Sequence, residues 1–291
     1  MGETISVLIP TLGRKKELLD TIDGLLKQSR LPDQLIIVDQ NPVVDEDLKT
    51  KLTPLKWVLH IHSVRPGVVL NMNLGLKQAT GDIILFIDDD VIPSPNLIKN
   101  HAQNYRDQEI VGVAGRVEQA RGDLIPEQIK IIGRYNRFTG QVTANFNGIK
   151  RQAVDTAIGC NMSFRRKNLI EAGGFDLGFD GNSYFFEPDV CLRVAKKGGK
   201  IIFDPTAELE HLMAPMGGAR VHDKARHNSY FVKNGMRLFR RHSPTILLPF
   251  FFLWMVVYSL LKAVKNRNLR IAFFGLKAAA EGLFQTIPLK V

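Results

Sequence analysis

The chain is poor in cysteine. Of 291 residues only Cys160 and Cys191 carry thiols, and they lie far apart. That excludes a disulfide framework and a cysteine-based zinc knuckle, and it suits a reducing compartment. No charged stretch with an apolar leader precedes the strand-like Ile5–Ile9, so a cytosolic start is expected. Internal repeats and low-complexity tracts are also missing. Excess charge is missing from most of the chain: the balance is +10, from 39 Lys and Arg against 29 Asp and Glu. Arg220–Val291 alone holds thirteen basic residues and two acidic ones, Asp223 and Glu281, a net +11, which leaves the first 219 residues at −1. A generally basic nucleic-acid binder is therefore excluded. So is a disordered chain, because 45% hydrophobic residues against 23% charged can support a core. One large domain or two small ones fit the length.

What is present alternates between two periods. Thr4–Ile9, Gln34–Asp39, Trp57–His62 and Ile83–Ile87 read as strands. Arg14–Gln28 and Gly67–Ala79 carry apolar residues at helical spacing. This predicts an α/β domain with a mainly parallel sheet covered on both faces. Further on, Asn96–Tyr105 predicts a helix, Ile110–Val117 a strand, and Ala157–Phe164 a return to the sheet. Arg166–Ala172 and Glu187–Lys197 predict helices, and Lys200–Phe203 and Ala207–His211 two late strands. Arg121–Arg151, polar and weakly periodic, reads as a variable excursion or loop.

In open parallel sheets ligands bind outside the carboxyl ends of the strands. Pro10-Thr11, Asp39 and Asp88-Asp89-Asp90 fall there. Three adjacent carboxylates repel one another, and a divalent cation relieves that repulsion; oxygen ligands suit Mg2+ or Mn2+. Alternate residues of an extended segment share a face, so Asp88 and Asp90 can converge. The plain alternative is a solvated acidic turn.

The ordered segments VLIPTLGR, IIVDQN, RPGVVLNMNLGLKQATGDIILFIDDDVIP, GCNMSFRR, GGFD and FFEPDVCLR…GG resemble the family 2 glycosyltransferases over about residues 4–242. Within that family the chain looks closest to bacterial rhamnosyltransferase-like members. The resemblance implies the GT-A nucleotide-diphospho-sugar transferase fold, with a mainly parallel Rossmann-like sheet. It implies a catalytic domain at 1–219, divided into a nucleotide-sugar half at about 1–119 and an acceptor half at 120–219, followed by a basic, apolar helical region at 220–291. Pro10, Thr11 and Arg14 then lie where the first loop meets the nucleotide. Asp39 matches the first acid of the base-reading segment, although Gln40 replaces the second. Asn73 matches the segment usually ending A-R-N-x-G; Met72 stands at its Arg position, and Arg65 is the substitute. Asp88 and Asp90 match the D-x-D pair, with Asp89 between them counted toward the donor and His211 implied as a third metal ligand.

Glycosyl transfer needs the departing diphosphate neutralised and the acceptor hydroxyl deprotonated. Anchoring on Arg193 places Glu187 at the family's catalytic base, with Asp189 as runner-up or orienting acid. The same residues also make a good acidic helix start. Gly173–Asp176 reads either as acceptor-pocket lining or as a helix stop. Gly217–Arg220 reads as a loop over the diphosphate, with Arg220 or His222 reaching it.

Thr245–Leu261 is an uncharged run of 17 residues with basic clusters on both sides, and Leu269–Leu283 repeats apolar residues at helical spacing. Together they predict a pair of helices on an anionic membrane surface, peripheral on the cytoplasmic face. A single membrane crossing and burial in a core or oligomer contact stay open. The expected activity is a metal-dependent, inverting transfer of a sugar from a nucleotide diphosphate to a hydroxyl acceptor. A lipid-linked glycan or polysaccharide precursor suits the tail. Rivals are a nucleotidyl- or phosphoryl-transferase on the same acids, and a non-catalytic nucleotide-binding membrane module.

Overall fold

A computed structural model describes residues 2–119 and 131–285. The strands are β1 (Ile5–Thr11), β2 (Gln34–Asp39), β3 (Val58–His62), β4 (Ile83–Ile87), β5 (Val91–Pro93), β6 (Ile110–Gln119), β7 (Arg134–Tyr135), β8 (Val142–Thr143), β9 (Gln152–Val154), β10 (Asn161–Arg165) and β11 (Lys200–His211). The α-helices are α1 (Lys15–Leu26), α2 (Glu46–Leu52), α3 (Val68–Gln78), α4 (Leu97–Asn104), α5 (Arg166–Glu171), α6 (Phe186–Lys196), α7 (Lys224–His242), α8 (Leu248–Lys265) and α9 (Leu269–Phe284).

The main sheet runs β3-β2-β1-β4-β10-β6-β11-β5, with β9 paired to β11. β1 is parallel to both β2 and β4, and β6 is parallel to β11, whereas β10 is inserted antiparallel between β4 and β6. Strand order reverses at β1, so the carboxyl ends of β1 and β4 meet at a switch point, where a doubly wound sheet opens a crevice. Both faces of the sheet are covered. Leu8, Ile36 and Phe86 pack on one side with Met72, while Val7, Ile9, Ile37 and Leu85 pack on the other with Leu18 and Ile22. Such alternation within unbroken apolar runs is what a doubly covered sheet requires. A Cβ on Gly75 would stand 2.3 Å from Leu8 Cδ1, so this glycine sets how closely α3 approaches β1.

Several local readings change. α2, capped by Asp45 accepting from the Leu48 N–H at 2.9 Å, stands between β2 and β3 where none was expected. The two late strands are one, β11, whose register with β6 slips between Asp204 and Glu208. Residues 157–160 precede the strand rather than join it. Of the expected excursion at 121–151, residues 121–130 lie outside the described residues, and 134–143 form a two-stranded hairpin.

The basic tail is a three-helix unit, not a pair. α7 was missed because its polar sequence buries arginine: Arg237 is 1% exposed. Its guanidinium pairs with Asp176 through Nε and Nη2, both at 2.8 Å, and Arg241 bridges Asp176 (2.5 Å) and Asp189 (2.6 Å). The seam drawn at residue 219 is thus crossed by buried ion pairs.

Candidate active site

The triplet after β4 splits by direction. Asp88 and Asp90 turn to one side with His211, the last residue of β11, and their ligand atoms all lie within 4.8 Å of one another. His211 Nε2 is 3.2 Å from Asp90 Oδ1 and 3.7 Å from Asp88 Oδ2. Asp89 turns the other way. It accepts from the Thr11 hydroxyl at 2.7 Å and from Arg14 Nη1 at 2.8 Å. The same Arg14 nitrogen lies 3.0 Å from Asp90 Oδ1, and Arg14 Nε donates to the Met216 carbonyl at 2.8 Å. Arg14 therefore locks the strand end and the loop after β11 together.

The three residues suit a divalent cation. Two carboxylates and an imidazole form a mixed O/N donor set of the kind Mn2+ accepts. Asp90 Oδ2 is taken by the Ala214 N–H at 2.8 Å and its Oδ1 is ion-paired with Arg14 and His211, but His211 Nδ1 is buried without a hydrogen bond among the described residues. Buried polar atoms left so are costly unless something else satisfies them. Burial pushes Asp88 up to about 6, opposed by His211 and reinforced by the Asp90 and Asp89 charges. A bound cation would relieve that crowding.

Asp88 and His211 line a cleft of about 900 Å³, and Asp90 is buried beside them. Pro10, Arg14, Gln40, Asp88 and Asp89 form one side, and Gly159, Cys160, Tyr184 and Glu187 another. Arg220 and His222 also line it, and the backbone N–H of Gly218 holds their loop to the Leu12 carbonyl at 2.9 Å. Glu187 sits in the first turn of α6. The chain enters that helix through Ser183 (φ 56°) and Phe185 (φ 71°), left-handed conformations that cost non-glycine residues energy and gather at functional sites. A Cβ on Gly159 would stand 3.2 Å from Glu187 Oε1, so glycine leaves room for the carboxylate. Burial raises Glu187 to about 7, partly offset by hydrogen bonds from its own and the Gly159 backbone N–H, with the Asp88 charge adding to the rise.

Other expected contacts point inward. Asp39 is fully buried; its Oδ1 accepts from the Asn41 backbone and side chain, and its Oδ2 lies 3.3 Å from His60 Nε2. It braces the loop after β2, and Gln40 lines the cleft in its place. Asn73 is consumed by Phe175, donating to its carbonyl at 2.7 Å and accepting from its N–H at 2.9 Å. Arg65 is exposed, just before cleft-lining Pro66 and Gly67. Asp189 faces away from the cleft, buried against Arg193 (2.8 Å), Arg241 (2.6 Å) and His242 (2.9 Å). That leaves Glu187 as the α6 carboxylate facing the cleft. Gly173-Gly174 end α5 and Asp176 is buried, so cleft lining begins only at Leu177. Sequence reasoning missed His227 and Tyr230, which α7 contributes to the cleft.

A crevice at the carboxyl strand ends, with a candidate cation site facing a raised carboxylate on the far wall, is the arrangement of the GT-A fold. Solved structures share the architecture. A mannosyltransferase from Pyrobaculum calidifontis, in complex with GDP-Man and Mn2+, matches with a TM-score of 0.60 at 16% identity, over 97% of this chain and 74% of its own. GalNAc-T7, solved with UDP, GalNAc and Mn2+, gives 0.65 at 16% identity, over 99% and 58%. The model of Glycosyl transferase family 2 matches residues 6–173, and the chain belongs to that family. It is 26% identical over 222 residues to the glucosyl-dolichyl phosphate glucuronosyltransferase of Haloferax volcanii, covering 71% of this chain and 68% of that protein. An uncharacterised glycosyltransferase of Bacillus subtilis is 25% identical over 195 residues, covering 66% and 68%.

Proposed function

We propose that the chain is a metal-dependent, inverting glycosyltransferase that moves a hexosyl or deoxyhexosyl unit from a nucleoside diphosphate to a hydroxyl. Its place would be the cytoplasmic face of an anionic membrane, in the synthesis of a cell-surface glycan or polysaccharide. The observation that carries this reading is the convergence of Asp88, Asp90 and His211 at the wall of the cleft that also presents Glu187. Asp88, Asp90 and His211 would hold Mn2+ or Mg2+, which supplies positive charge to the departing diphosphate. Glu187 takes the proton of the acceptor hydroxyl as its oxygen bonds to the anomeric carbon. The bond from that carbon to the diphosphate breaks on the opposite side, so configuration inverts. Arg220 and His222 stand where the diphosphate leaves, and Gln40 and Pro10 where the nucleoside rests. The glucuronosyltransferase relative is named for a dolichyl phosphate-linked sugar, which supports a lipid-linked acceptor.

A panel of nucleotide sugars with Mn2+ or Mg2+ tests the activity. Nucleoside diphosphate release is expected; pyrophosphate release from nucleoside triphosphates without it would instead mark a nucleotidyltransferase. The pH profile follows from Glu187. A base must be ionised, so kcat/KM is expected to fall about tenfold per pH unit below a midpoint near 7 and to level off above it. A profile flat down to pH 5 would remove Glu187 from the proton transfer.

The cation site has its own measurement. The Asp88 side chain is held among the described residues only by a long 3.7 Å ion pair with His211, so Asp88→Asn removes a charged ligand at little structural cost. Donor with Mn2+ at a hundred times Kd is expected to stabilise the native chain by about 2.7 kcal/mol, and the variant should lose most of that thermal shift. An unchanged shift would argue against cation-assisted donor binding.

A further inference from the structure

The tail helices present an apolar surface that nothing among the described residues covers. α8 keeps a single inner ridge, Phe251, Met255, Ser259 and Ala263, spaced by four. Its outward positions Phe250, Leu253, Trp254, Leu261 and Val264 are 55–77% exposed. α9 continues the surface with Leu269, Phe273 and Leu276, each more than half exposed. An exposed apolar patch of this extent marks an interaction site. Burial in a core is set aside, because 22% of the Thr245–Lys265 window is buried.

Charge identifies the occupant. Lys262, Lys265, Arg267 and Arg270 are all exposed and crowd the turn between α8 and α9. Basic groups beside an apolar face match an anionic bilayer, which takes the apolar residues into its acyl region and holds the charges at its headgroups.

The inner ridge decides the orientation. Phe251 stacks on Phe239 with ring centroids 4.0 Å apart, and a Cβ on Gly235 would meet Met255 Cε at 3.3 Å. Ser259 accepts from Asn228 at 3.0 Å, and Ala263 packs with Ala225. α8 therefore lies along the whole of α7, which is itself ion-paired to the catalytic body through Asp176, Asp180 and Asp189. Crossing the bilayer would drag that charged helix into lipid, against its solvation cost. α7 also lines the cleft with His227 and Tyr230, and Tyr184 at the same end touches Phe231 at 5.6 Å, which touches Tyr258 of α8 at 5.3 Å.

We propose that α8 and α9 lie side by side within one leaflet of an anionic bilayer without crossing it, bringing the Tyr184 end of the cleft to the lipid surface to receive a membrane-anchored amphiphile as acceptor. The acceptor half rests on the glycosyl-transfer reading; the docking half does not.

The chain has two tryptophans, Trp57 and Trp254, so W57F leaves one reporter on α8. The companion variants W57F/W254F/F250W and W57F/W254F/L261W report on its two ends. Full chains are bound to phosphatidylglycerol–phosphatidylcholine vesicles whose acyl chains carry quenchers at graded depths. Equal, shallow quenching at 250, 254 and 261 is expected, because a helix parallel to the membrane keeps them level. A spanning helix would separate 250 from 261 by about 16 Å of depth, and that result overturns the proposal. Pure phosphatidylcholine should weaken binding about tenfold or more; indifference to anionic lipid overturns the choice of occupant. Failure to bind, with the chain dimeric in solution, would assign the face to a second copy. W57F/W254F/Y184W should be quenched by a headgroup label and not by a mid-chain one; insensitivity to both removes the acceptor half. Nucleoside diphosphate release by W57F is read in parallel, so a chain that docks but releases none refutes glycosyl transfer and leaves docking standing.

Discussion

Glu187→Gln is expected to lower kcat by about 10²–10⁴-fold while leaving donor affinity and folding unchanged. The amide keeps the shape of the side chain and its place beside Gly159 but cannot accept a proton. Because Glu187 is half-buried and raised to about 7, the neutral amide resembles its protonated form and should cost the fold nothing. Stopped turnover with retained donor binding separates the base from a structural helix start. Turnover within twofold of the parent would pass the proton transfer to another group. Asp189 is a poor substitute: burial alone would raise its carboxyl, but His242, Arg193 and Arg241 hold it down at about 2, too weak a base.

The second large effect falls on Asp189 for the opposite reason. Asp189→Asn is expected to cost about 3–5 kcal/mol of stability, read from denaturant midpoints, because it leaves buried cations short of a partner. Arg193, Arg241 and His242 all converge on this one carboxylate. The sign with pH follows from its lowered pKa. The stabilisation is complete above the ordinary carboxylate value of 3.8 and is lost as pH falls through about 2. The difference between parent and variant should therefore hold at neutral pH and shrink in strong acid. A variant within 1 kcal/mol of the parent would make the cluster a bystander.

Much of the site was legible because strand geometry is legible. Asp88 and Asp90 follow an apolar run of fixed period, so alternation alone put them on one face, and the motif order brought in His211 and Glu187. Asp39, Asn73 and Asp189 show what a motif leaves out. Spacing names a residue but not the direction of its side chain, and each of these is satisfied inside the protein: Asp39 by Asn41 and His60, Asn73 by Phe175, and Asp189 by Arg193, Arg241 and His242. The exposed apolar helices α8 and α9 were visible as apolar runs, whereas α7 between them and the catalytic body was not. Hydropathy counts Arg237 and Arg241 as surface, and only the distant Asp176 and Asp189 make their burial affordable. His227 and Tyr230 went unnoticed for the same reason, since the apolar stripe of Val232, Met236 and Phe239 on their helix is masked by the charges around it.

Those ion pairs also determine how far the chain is modular. An anchor can be cut from an enzyme when the junction carries few contacts, and a cut at residue 219 looks natural by charge. Here it would strip both arginines from Asp176 and leave Asp189 with Arg193 alone. A cut after His242 would keep the pairs but bare Val232, Met236 and Phe239 to water. Neither break leaves the buried contacts of the junction complete, so the tail helices and the catalytic body behave as one folding unit, and a stability measurement would not resolve them into two.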